Sequence, residues 1–111
     1  MSYLSDDAKN IERKYQGDMR KLYRIHARRA RLLGIWAAEK MYIFGDKATD
    51  YAVTIVMADH AEPDGEGMRK KIEVDFKKND IAFDVSEYAD IYSSLLARAE
   101  NEVLEEQDIY A

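Results

Sequence analysis

Apolar residues return every three or four positions along most of the chain, in runs divided by glycine, proline and Asx residues. This is the pattern of amphipathic helices joined by short turns. The strongest run extends from Met19 to about Tyr42 and sets Leu22, Ile25, Arg29, Leu32, Leu33, Trp36, Ala37 and Met41 on one stripe. Gly34 lies inside it. Glycine costs a helix interior about 1 kcal/mol relative to alanine, so its use there is to let a second helix approach closely.

Gly45-Asp46 reads as a stop followed by an N-cap, and a helix from Asp46 to about His60 turns Ala48, Tyr51, Ala52, Ile55 and Val56 inward. Glu62-Pro63-Asp64-Gly65 is a turn by its chemistry. A third helix from about Glu66 to Lys78 carries Met68, Ile72 and Phe76 at spacing of four. Asp84 and Glu87 have capping-box spacing and start the last helix, which continues through Ile91, Tyr92, Leu95, Leu96, Ala99 and Val103 before an acidic end that frays. Four helices with short connections predict an all-α fold, a compact four-helix bundle over residues 19–111.

The N-terminal pattern is thinner. Leu4, Ala8, Ile11 and Tyr15 form a narrow stripe behind Ser5 as N-cap, and Gln16-Gly17 breaks the run directly after it. A helix of about a dozen residues is marginal alone in water. Residues 1–18 are therefore expected to be a mobile N-terminal arm that becomes helical against a partner.

Composition narrows the function classes. A formal charge of −5 in 111 residues argues against a nucleic-acid coat, which needs a basic footprint. The absence of cysteine excludes disulfides and thiolate chemistry. No apolar run approaches the roughly 20 residues of a membrane span, and no secretory leader pattern opens the chain. A cytoplasmic protein, monomeric when free, is the expectation. Within the net charge, Arg20, Lys21, Arg24, Arg28, Arg29 and Arg31 make a basic block, while Glu100, Glu102, Glu105, Glu106 and Asp108 make the C-terminus acidic. The two can neutralise each other, or Arg20, Arg24 and Arg28 can help dock the chain on an acidic partner.

Catalytic chemistry finds no constellation. Gly45-Asp46-Lys47-Ala48-Thr49 echoes the lysine and hydroxyl of a phosphate loop but lacks its Gly-Lys-Ser/Thr core, its earlier glycine and a preceding strand. No cofactor is expected; weak nucleotide contact at that helix N-terminus stays open. Asp59, His60 and Glu62 lack the further ligands of a metal site, and no serine or histidine has a nucleophile setting.

The run Ala27-Arg28-Arg29 with Leu32-Leu33-Gly34-Ile35-Trp36-Ala37-Ala38-Glu39-Lys40 resembles the signature of the zeta subunit family of alphaproteobacterial F-type ATP synthases, small inhibitors of ATP hydrolysis. The likeness continues through Gly45-Asp46, Ala52, Ala58-Asp59, Glu62-Pro63 and Asp84-Val85-Ser86-Glu87. It implies a non-catalytic regulator whose bundle anchors to the catalytic head of alpha, beta and gamma subunits, without membrane insertion, at the cytoplasmic side of the inner membrane. By the same resemblance, the arm enters a catalytic interface, with Ile11 and Tyr15 as apolar anchors and Glu12, Arg13, Lys14 and Asp18 setting its polar register. Where phenylalanines are expected in the family's arm this chain has Ile11 and Tyr15, and Gly17 weakens helix continuity. A non-inhibitory adaptor and a small nucleotide-sensing protein are the competing classes.

Overall fold

Among the described residues the chain forms five helices: α1 (Asp6–Lys14), α2 (Met19–Lys40), α3 (Asp46–Ala61), α4 (Glu66–Lys78) and α5 (Val85–Tyr110). The computed structural model describes residues 6–110, with side chains over 9–106. Leu4 and Ser5, expected to open the first helix, lie outside the described residues, as does the side chain of Ala8. The fold is all-helical, and a Cα radius of gyration of 14.0 Å makes it compact. The four helices expected beyond Met19 are all present, but α1 adds a fifth, and the packing radiates from α2. That helix contacts α3 along one side and α5 along another; α4 packs on α3, and α1 on α5.

Each helix end has a local cause. Asp18 Oδ1 accepts from the Lys21 backbone N–H at 3.0 Å and caps α2. At the other end Ile43 N–H donates to Ala38 O at 2.9 Å and Tyr42 N–H to Glu39 O at 3.0 Å, with Tyr42 in the left-handed region at φ 60°. That is a Schellman stop, and the same pair of bonds recurs at Ile81 and Asp80 after α4. The stop of α2 therefore lies before Gly45, which is instead the N-cap of α3 at φ 64°, with Asp46 the first helical residue. Asp84 caps α5 by accepting from Glu87 N–H at 3.1 Å, while the Glu87 carboxylate reaches Lys40 at 3.1 Å. The acidic end of α5 stays helical rather than fraying, because Glu102 and Glu106 are engaged by arginines of α2.

Two apolar clusters form the core. The larger joins Leu33, Ala37 and Met41 of α2 to Ile55, Met68, Ile72, Phe76, Tyr88 and Tyr92, with Trp36 packed on it 5.9 Å from the Phe76 ring centroid. The smaller gathers Leu22 and Ile25 with Leu96, Ala99 and Val103 of α5, and is completed by Ile11 and Tyr15 from the N-terminal segment. Two glycines permit close backbone contact. A Cβ on Gly34 would lie 2.6 Å from Ala52 Cα, and one on Gly67 would lie 2.2 Å from Ala58 O. No helix among the described residues is long and apolar enough to cross a membrane.

Candidate protein-interaction site

The candidate site begins with α1, whose only route to stability at nine residues is tertiary contact. Ile11 and Tyr15 lie one helical turn apart, Tyr15 N–H donating to Ile11 O at 3.1 Å, and each is 8% exposed. They face α5. Glu12, Arg13 and Lys14 occupy the exposed side. The break after α1 falls at the Tyr15–Gly17 turn, where Asp18 N–H donates to Tyr15 O at 2.8 Å and Asp18 then caps α2.

One carboxylate organises the polar side of this contact. Lys14 Nζ and the Tyr15 hydroxyl both donate to Glu100 Oε2, at 2.8 and 2.6 Å. Burial pushes the Glu100 carboxyl up, but the hydrogen bonds from Lys14 and Tyr15 outweigh it and hold the group below its ordinary range. Burial raises the Tyr15 hydroxyl, and its hydrogen bond to Glu100 raises it further; the bond to Glu100 also raises Lys14. Nothing in the sequence pattern marked Glu100 out from the other C-terminal acids, since its role depends on where α1 lands.

Of the basic block, Arg24 and Arg28 are paired within the chain. Arg24 meets Glu106 at 3.1 Å, and Arg28 meets Glu102 at 3.0 Å and also Glu106. The two charged blocks thus neutralise each other along the α2–α5 seam. Arg20 and Arg31 are exposed and make no ion pair among the described residues. Arg29 goes inward. It is 5% exposed, its guanidinium lies 3.9 Å from the Tyr92 ring centroid, and it donates to the Tyr92 hydroxyl at 2.7 Å. Its Nε is buried without a partner.

Beside Arg29 a cavity of about 290 Å³ opens between α2, α3 and α5, with Tyr23, His26, Asp59, His60 and Glu12 of α1 among its lining residues. Desolvation lowers the His26 imidazole, helped by the Arg29 charge, and desolvation raises the Asp59 carboxyl against the pull of Arg29. The three residues weighed as metal ligands have separate partners. His60 bonds the Tyr23 hydroxyl at 2.8 Å, Glu62 bonds Lys70 at 2.8 Å, and Asp59 feels the charge of Arg29. Among the described residues no group of three or more acidic or histidine side chains is placed to hold a metal. At Gly45, the backbone N–H groups of Ala48 and Thr49 donate to Gly45 O in an ordinary helix start.

Comparison with curated proteins and with solved structures finds no match. The family model for ATPase inhibitor subunit zeta matches residues 1–102. The match takes in α1, the α2 signature with Arg28, Arg29 and Gly34, and the α5 segment that receives the arm. The chain therefore belongs to the ATPase inhibitor subunit zeta family, a non-catalytic regulator of ATP synthase.

Proposed function

We propose that residues 1–18 are the inhibitory element and that residues 19–111 are the anchor. The arm inserts as a helix at a catalytic interface of the F-type ATP synthase, between alpha and beta subunits and beside gamma. There it keeps the interface from opening and closing during hydrolysis. Ile11 and Tyr15 supply the apolar anchors; Glu12, Arg13, Lys14 and Asp18 set the polar register; Arg20 adds rim charge at the docking face, Arg24 and Arg28 being balanced by Glu106 and Glu102. The complex is held at the cytoplasmic side of the inner membrane through the synthase, the free chain is monomeric, and no cofactor enters the action.

One observation carries this reading. Within a chain that matches the inhibitor family over residues 1–102, α1 alone is a short helix with a single apolar stripe, joined to the rest by a glycine turn and resting on α5. A helix so attached can leave as a unit without unpicking the larger core.

The test uses Arg13, which is exposed and makes no ion pair among the described residues. Arg13→Glu should weaken inhibition of ATP hydrolysis by about tenfold, the loss of a charge-assisted contact, while leaving the thermal transition of the free protein unchanged. Unchanged inhibition would remove Arg13 from the interface. Inhibition unchanged by charge reversal at both Glu12 and Arg13 would move the inhibitory element elsewhere.

A further inference from the structure

We infer that the free protein holds its own arm closed, with Glu100 as the clasp, and that inhibition requires this internal contact to open. The inference rests on the reading of α1 as the inhibitory element. Its observation is that Ile11 and Tyr15, the apolar anchors of that reading, are already buried against Leu96, Ala99 and Val103. The side chains of one helical stripe cannot fill two sites at once. Docking on α5 and docking in a catalytic interface therefore exclude each other, and α5 is a competitor for the synthase built into the same chain.

The polar contacts point the same way. Glu100 is the only acid of the C-terminal segment that bonds the arm among the described residues; Glu102 and Glu106 face Arg28 and Arg24. It gathers the Lys14 ammonium and the Tyr15 hydroxyl at one oxygen, with its side chain 15% exposed. Lys14 and Lys21 ammoniums also lie 5.5 and 5.8 Å from the Tyr15 ring centroid. Yet the closure is shallow. A groove of about 270 Å³ remains between α1 and α5, reaching Asn10 on one wall and Ser93 and Ala97 on the other, so the arm is seated without being sealed into the core.

This is the geometry of a two-state element. A ligand's apparent affinity falls in proportion to the fraction of protein in the binding-competent state. Loosening the clasp raises the open fraction and strengthens inhibition by the same factor, until the open state predominates. The chain's inhibitory strength is thus set partly by Glu100, through its hold on Lys14 and Tyr15 in the free chain.

The experiment compares the parent with Glu100→Lys, which sets a cation against Lys14, and with Glu105→Lys, an equal charge change at an exposed position of α5. Glu100→Gln, which keeps the shape, covers the case in which the lysine variant fails to fold. Amide hydrogen exchange of residues 11–17 in the free protein reads arm opening, and the concentration for half-inhibition of synthase ATP hydrolysis reads its consequence. The expected result is exchange faster by about tenfold in Glu100→Lys, the worth of a hydrogen bond to a charged group, with half-inhibition at a correspondingly lower concentration. Glu100→Gln shifts both in the same direction by less, and Glu105→Lys matches the parent. Unchanged exchange in both Glu100 variants overturns the clasp. Faster exchange without stronger inhibition, from a parent that does inhibit, overturns the competition alone. A parent that does not inhibit at all removes the reading of α1 and takes the inference with it.

Discussion

Gly34 of α2 and Ala52 of α3 cross so closely that a Cβ on Gly34 would lie 2.6 Å from the Ala52 Cα and 3.0 Å from its Cβ. Both are buried, and Ile55, on the next turn of α3, would also lie within 3.2 Å of the added atom. Gly34→Ala therefore sets helix propensity against packing. Propensity favours alanine by about 1 kcal/mol, while the obstacle is backbone, which yields only by separating the helices. Overpacking at about 1–3 kcal/mol prevails, and the midpoint of urea unfolding should fall. A midpoint that rises would show that α2 and α3 can part at little cost.

The α2–α5 seam gives a second contrast. Arg28 is half-buried and engages both Glu102 and Glu106, whereas Arg20 is exposed and unpaired among the described residues. Arg28→Ala should cost about 1–2 kcal/mol of stability, less in high salt, after discount for partial exposure. Arg20→Ala should stay within about 0.5 kcal/mol. Denaturation at two salt concentrations measures both, and equal effects would contradict the seam.

Arg29 is the costliest cation to remove. Arg29→Ala strips the Tyr92 ring of its stacked guanidinium and the Tyr92 hydroxyl of a donor inside the core, an expected loss of about 2–4 kcal/mol. Arg29→Lys should recover little of it, since an ammonium lacks the planar face. Thermal unfolding of the two variants checks the order, and full rescue by lysine would show that only the charge matters.

The contact between arm and α5 should be nearly flat across neutral pH. Glu100 is held below its ordinary value of 4.5, so its contribution is complete above that value and is lost as pH falls through the lower folded value. Tyr15 is raised above 10.0, so its contribution is complete below 10.0 and is lost as pH rises through the higher folded value. Protection of α1 amides, corrected for intrinsic exchange, should thus hold between about pH 4.5 and about pH 10 and fall outside them. A midpoint inside that window would implicate His26, whose burial and Arg29 neighbour push its titration below the ordinary histidine range.

Much of this was readable from periodicity, because a helix stripe is a local property. Arg29 already fell on the inward stripe of α2 with Leu33 and Ala37, and the close approach at Gly34 followed from the cost of glycine alone. Mutual neutralisation of the basic and acidic blocks was also legible, though which arginine meets which glutamate depends on helix register. The end of α2 near Tyr42 was legible too, but the residue that causes it was not. Tyr42 takes the left-handed conformation usually left to glycine, at 84% exposure, and no residue type announces that. Nor was the seat of α1. Ile11 and Tyr15 identify a stripe without saying what covers it, and the acceptor, Glu100, lies 85 positions away from Tyr15.

The most direct measurement is ATP hydrolysis by the F-type ATP synthase of the same organism, with the full chain and with residues 19–111 alone, recording binding of each. The expected result is inhibition by the full chain and binding without inhibition by the shorter one. Equal inhibition by both would contradict an inhibitory arm, and binding by both with inhibition by neither would make the chain an adaptor.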